Sequence, residues 1–136
     1  MKRLYRQQHL VDFMAVVMQF TRIKIKWSYF SDEAPDLKRA CWAFPLAGWL
    51  LGFIAGGLGQ ILILMDLPVI LGCAIAIAFC IYLSGAYHED GLADMADGFG
   101  AGGDGRRISN IIHDSRLGTY GVSALSLAII VRILLV

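Results

Sequence analysis

Charge is what this 136-residue sequence lacks through its middle: between Arg39 and His88 the only Asp, Glu, Lys, Arg or His is Asp66. A water-facing surface cannot be built from so long an uncharged stretch. With 57% hydrophobic residues and a mean hydropathy of +0.62, the composition points to a membrane protein. Cysteine is also scarce. Cys41, Cys73 and Cys80 form no CxxC pair, and the last two lie in apolar runs. That excludes a zinc ribbon or disulfide scaffold and leaves cysteine as a small hydrophobe. The formal net charge is only +1, and no Lys/Arg stripe interleaves with aromatics, so no nucleic acid partner is expected. The N-terminus starts basic like a signal peptide, but Asp12 and Gln19 interrupt its apolar part and no small-residue cleavage site follows, so it is expected to stay in the mature protein.

What is present is strongly segregated. Eight of the twelve Lys and Arg residues precede residue 40. The apolar run from Leu10 to Phe20 covers about eleven residues, against the roughly twenty a bilayer requires, so it predicts an interfacial helix or one packed on a bundle. Arg22, Lys24 and Lys26 alternate with Ile23, Ile25 and Trp27, which reads as a short strand or an extended basic segment on anionic headgroups. Ser31, Asp32 and Glu33 before Pro35 read as a helix start.

Residues 42–66 predict a first transmembrane helix with Gly48, Gly52 and Gly56 at steps of four, and residues 68–87 a second with Gly72, Ala76, Cys80 and Ser84 at the same step. Such stripes let helix backbones approach closely in lipid. They face each other in an antiparallel hairpin, or else a third helix or a second copy in a homo-oligomer. A polar section follows at 88–119, and residues 120–136 start a further apolar helix that is short for a span and carries Arg132. The expected fold is therefore all-α: one polytopic integral membrane bundle over residues 1–136, with an interfacial N-terminal helix within 1–41, and apparently the N-terminal part of a longer chain. The Lys/Arg bias puts residues 1–41 and 88–119 on the cytoplasmic face of the plasma membrane, with Trp42, Tyr87 and Tyr120 as its aromatic belt.

Five acidic residues, Glu89, Asp90, Asp94, Asp97 and Asp104, crowd the polar section. On a helix Asp90, Asp94 and Asp97 fall within an arc of about 60°. Three like charges on one face repel, so a cation is called for. Magnesium takes one or two carboxylates together with waters and substrate phosphates, and two such ions can clamp a diphosphate. Downstream, IIHDSRLGTYG offers Asp114 as a further metal ligand and Arg116 as a phosphate clamp, while Gly118 and Gly121 permit close backbone approach. AGGDGRR at 101–107 reads as a flexible loop ending in Arg106 and Arg107. His88 would point away from the aspartate face of such a helix. The bland reading of each piece is a solvated acidic face and glycine turns, and the conjunction within one polar section favours catalysis.

HEDGLADMADGFG at 88–100, HDSRLGTYG at 113–121 and FPLAG at 44–48 together resemble the cobalamin synthase family, the adenosylcobinamide-GDP ribazoletransferases, over essentially the whole chain. The resemblance implies a magnesium-dependent, multi-pass inner-membrane enzyme that joins α-ribazole or its 5′-phosphate to adenosylcobinamide-GDP and releases GMP, completing adenosylcobalamin. It implies catalytic roles for His88, Asp90, Asp94, Asp97, Asp114 and Arg116, metal binding by the four aspartates, and cofactor contacts by Gly91, Gly98, Ser115 and Gly118. A weaker likeness is to the CDP-alcohol phosphotransferases: Asp94, Asp97, Gly98 and Ala101 match their core, but Gly102 stands where arginine belongs and the later aspartate pair is absent. A non-catalytic scaffold or cation-binding subunit is the non-enzyme alternative.

Overall fold

The computed structural model describes residues 2–29, 34–114 and 116–136, without the side chains of 2–7 and 29. The Ser31–Glu33 helix start and Ser115 lie outside the described residues. Among those described there is no strand, and six α-helices follow in order: α1 (Lys2–Phe20), α2 (Phe44–Leu64), α3 (Val69–Ser84), α4 (Tyr87–Ala101), α5 (Gly105–Ile112) and α6 (Thr119–Leu135). Short 3-10 turns cover Trp27–Tyr29 and Arg39–Ala43.

The second half of α1 packs on the bundle. Val16 and Val17 meet Ala40, Ala43 and Ala47 in a buried cluster flanked by Phe13, Phe20 and Ile25. Asp12, only 3% exposed, is neutralised there by Arg39 at 2.8 Å and accepts the Trp42 indole N–H at 3.4 Å. Trp42 thus ties α1 to the start of α2, in addition to any role in an aromatic belt. The basic segment after α1 forms no strand: it is irregular, with the Arg22 amide donating to the Leu83 carbonyl at 2.7 Å and its guanidinium over the Tyr82 ring.

Pro45 in the first turn of α2 suits a position where the amide has no helical partner. The helix exposes large apolar groups such as Trp49 (67%) and Phe53 (66%). Together with the turn before it, α2 makes a 26-residue helical unit, Arg39–Leu64, long and apolar enough to cross a membrane. Asp66, at φ 66°, and Pro68 reverse the chain, and α3 returns against α2 as the expected hairpin. On α3 the expected Gly72 and Ala76 lie in the contact, but on α2 the contacting glycine differs from those expected. Gly59 sits where a Cβ would lie 2.9 Å from the Ala76 Cβ, and Gly72 where one would lie 2.7 Å from Ile63, whereas Gly48, Gly52 and Gly56 have open space beside them. Close approach is set by the rotation of α2, and that rotation leaves Gly48, Gly52 and Gly56 out of close contact with α3.

At the end of α3, Gly85 adopts φ 70° and the Ala86 amide closes back on the Ile81 carbonyl at 2.9 Å. Ala86 is itself left-handed, at φ 61°, a region that costs a residue with a Cβ. The two residues bend the chain by 88°, so α4 runs across the end of α3 instead of extending it. Antiparallel to α4, α6 packs along its length: Asp97 near the end of α4 meets the start of α6, and Glu89 near its beginning meets Arg132. α5 lies against α4 through Gly98, whose missing side chain is replaced by Ile108 and Ile112.

Candidate functional site

The acidic stretch is helical as its spacing predicts, and Glu89 and Asp90 in its first turn suit the positive end of the helix dipole. Its three aspartates have different surroundings. Asp90 is exposed, Asp94 half-buried and Asp97 only 7% exposed. Asp97 accepts the Gly118 amide at 2.7 Å and the Gly121 amide at 2.8 Å, one on each carboxylate oxygen. Gly118 and Gly121 are the N-cap and first turn of α6, whose amides have no helical partners. A carboxylate from α4 therefore caps α6, and its charge suits the helix N-terminus. A Cβ on either glycine would overlap that carboxylate, which accounts for the Gly-x-x-Gly spacing.

Asp90 and Asp94 border an open cavity of about 450 Å³ together with Glu89, His113, Asp114 and Arg116. The structure thus brings together Asp90, Asp94, Asp114 and Arg116 of the expected site. It leaves out His88, which belongs to a second cavity with its ring near Phe20 and Tyr87, and Asp97, which is held at α6. Gly91 is exposed with open space beside it, Gly98 is buried under α5, and the Gly118 amide is taken by Asp97.

Asp114 and Arg116 form a two-pronged pair. The guanidinium Nη2 lies 2.6 Å from Oδ2, Nε lies 3.0 Å from the same oxygen, and the Arg116 amide also donates to Oδ1 at 3.2 Å. These bonds from Arg116, side chain first, hold the Asp114 carboxyl below its ordinary value, and Asp114 in turn raises the guanidinium. Arg116 is 87% exposed, so its charge is presented outward from a fixed turn. Arg106 and Arg107 occupy no loop: they stand in the first turn of α5, where Asp104 caps the Arg107 amide at 2.9 Å.

Sequence reasoning gave no site role to two residues here, though it counted Glu89 among the crowded acidic groups. His113 Nδ1–H donates to the Ser109 carbonyl at 2.7 Å, which leaves Nε2 as the lone-pair nitrogen of the neutral ring. Glu89 borders both cavities and pairs with Arg132 at 2.8 Å across 43 residues. The charge inside the last apolar run was the available signal, since an arginine there demands an acidic partner.

Among the described residues, no group of three or more His, Cys, Asp or Glu side chains is assembled to hold a metal ion. No protein group engages the carboxylates of Asp90 and Asp94 among the described residues. Two hard oxygen donors bordering an open cavity fit a cation that completes its shell from water and substrate phosphates, as magnesium does.

These features define an all-helical protein with apolar outer faces and one acidic, arginine-bearing cavity. The family model described as cobalamin-5-phosphate synthase matches residues 12–136, and the chain belongs to that family. It is 38% identical over 128 residues to the adenosylcobinamide-GDP ribazoletransferase of Azorhizobium caulinodans, covering 93% of this chain and 48% of that protein. The enzyme of the same name from Ralstonia pickettii is 39% identical over 128 residues, 93% of this chain and 49% of the relative. That from Ralstonia nicotianae is 43% identical over 116 residues, 83% and 43% respectively. The chain thus spans about half the length of the curated relatives it matches. No solved structure matches it.

Proposed function

We propose that this chain carries the diphosphate-handling part of an adenosylcobinamide-GDP ribazoletransferase, an enzyme that joins α-ribazole or its 5′-phosphate to adenosylcobinamide-GDP and releases GMP. The observation that carries this reading is the convergence of Asp90, Asp94, Asp114 and Arg116 on one cavity within a chain of this family. A ribose hydroxyl attacking a diphosphate needs its negative charge neutralised more than it needs a covalent intermediate. Arg116, fixed by Asp114, supplies one positive group toward the diphosphate. Asp90 and Asp94 hold magnesium, which when bound neutralises the remaining phosphate charge. Asp114 acts through Arg116, and Asp97 keeps the start of α6 in register with the acidic helix.

On this reading the protein sits in the inner membrane as a multi-pass chain with this cavity toward the cytoplasm. The long apolar α2 and its hairpin partner α3 support the membrane location, and the Lys/Arg bias of residues 1–41 and 88–119 supports the cytoplasmic side. Membranes from cells expressing the full reading frame, given adenosylcobinamide-GDP, α-ribazole and magnesium, are expected to release GMP. Asp94→Asn and chelation of magnesium should each abolish release. Full activity of Asp94→Asn would overturn the site assignment, and CMP release from a CDP-linked alcohol would instead select the phosphotransferase reading. Metal binding without turnover of either substrate would select the scaffold.

A further inference from the structure

The second cavity, about 330 Å³, lies where α1, α2, α3, α4 and α6 converge, and its wall is mostly apolar. It is lined in part by Phe44 and Gly48, the two ends of FPLAG, a motif given no role by the acidic cavity. Phe20 and Phe44 meet edge to face at 5.1 Å on one side. At the other end stands Glu89. Its Oε1 takes Arg132 at 2.8 Å, but Oε2 is buried and among the described residues has no hydrogen-bond partner. An ionised carboxylate oxygen can only accept, so that atom calls for a donor from a ligand. Glu89 also borders the acidic cavity, so a donor placed there stands at the junction of the two.

We propose that this cavity receives the base of the nucleoside acceptor, with a ribose hydroxyl donating to Glu89 Oε2. The assignment rests on the ribazoletransferase reading and names where its second substrate sits. Ribazole is a flat, methylated benzimidazole carried on a ribose: an apolar bicycle joined to a hydroxyl-rich end. Its two halves match the two ends of the cavity. The volume lies in the range of about 300–1,000 Å³ used by small-molecule sites. A corrin macrocycle is too bulky for it, and guanine would bury several unpaired donors and acceptors against Phe20, Phe44 and Leu51. With the base seated here, the ribose stands at Glu89 and faces the aspartates and Arg116 where the diphosphate is handled.

Gly48 provides the test, because it lines the cavity and a Cβ added there meets nothing within 4 Å. The full-length protein in detergent would be titrated with α-ribazole alone by equilibrium dialysis, with GMP release measured separately. Gly48→Leu is expected to weaken α-ribazole binding at least tenfold, and Gly48→Ala to weaken it less. Gly52→Leu, which has open space beside it but does not line the cavity, should bind as the unaltered protein does. Thermal unfolding establishes that each variant is folded. Should Gly48→Leu prove unfolded, Gly48→Ala decides. Unchanged α-ribazole affinity in a folded Gly48 variant, or no α-ribazole binding by the unaltered protein while GMP release persists, overturns the proposal. Absence of GMP release overturns the ribazoletransferase reading instead, whatever the dialysis gives.

Discussion

Asp97 accepts the amide of Gly121 at 2.8 Å across 24 residues of sequence, so a side chain on the acidic helix caps the helix that packs beside it. With the Gly118 amide on its other oxygen, Asp97 serves two of the donors a helix start leaves unpaired. Asp97→Ala is expected to lower stability by about 2–3 kcal/mol, because bonds to a charged acceptor are the stronger kind and the Gly121 amide left behind is buried, that of Gly118 partly so. Asp97→Asn keeps one acceptor oxygen and should lose roughly half as much. Thermal unfolding in detergent checks both. An Asp97→Ala protein that unfolds at the unaltered temperature while losing GMP release would mark Asp97 as a metal ligand instead.

The helical acidic stretch, the apolar hairpin and its reversal at Asp66–Pro68 were legible because periodicity, run length and proline report directly on local backbone. The role of Asp97 was not. A carboxylate that binds a cation and one that caps a helix look alike in sequence, and only the placement of Gly118 and Gly121 separates them. Nor was the right-angle break legible, since alanine at position 86 carries no turn signal and Gly85 also fits a simple helix end. Arg132 suggested an incomplete span, but its partner Glu89 lies 43 residues earlier and is found only once α6 folds back along α4.

The Asp114–Arg116 pair has a pH dependence whose sign follows from the depressed carboxyl. Hydrogen bonds from Arg116 hold Asp114 below its ordinary value of 3.8, so the folded state favours the charged form. The pair's contribution is complete above that ordinary value and is lost as pH falls through the lower, folded one. Arg116→Gln should return the Asp114 titration upward toward the ordinary value. Carboxyl-carbon NMR of labelled protein would follow it. An Asp114 titration that does not move in Arg116→Gln would show that the guanidinium is not what holds it.

Glycines on α2 should respond to substitution in opposite ways. At Gly59 a Cβ would lie 2.9 Å from the Ala76 Cβ and 3.2 Å from the Gly72 carbonyl oxygen, and backbone cannot yield as a side-chain tip can. Gly59→Ala is expected to destabilise by about 1–3 kcal/mol through overpacking. Gly56→Ala meets open space and gains the helical preference of alanine, up to about 1 kcal/mol. Thermal unfolding of the two variants side by side tests which face of α2 packs on α3. Equal loss at both positions would mean that Gly56 also lies in a contact.

Glu89 and Arg132 make the ion pair between the two cavities, with side chains 13% and 43% exposed. Removing one partner leaves the other partly desolvated and unpaired. Arg132→Met is therefore expected to cost about 1–3 kcal/mol, below the roughly 3–5 kcal/mol for breaking a fully buried pair. Glu89→Gln in the same protein removes the stranded charge and should recover part of that loss, so the double-mutant loss is smaller than the sum of the two single losses. Additive losses in the cycle would place the two side chains out of contact. Because this pair holds α6 along the acidic helix, its loss should also weaken α-ribazole binding, as the Glu89 oxygen offered to the ribose is fixed in place by the bond that Arg132 makes to the other.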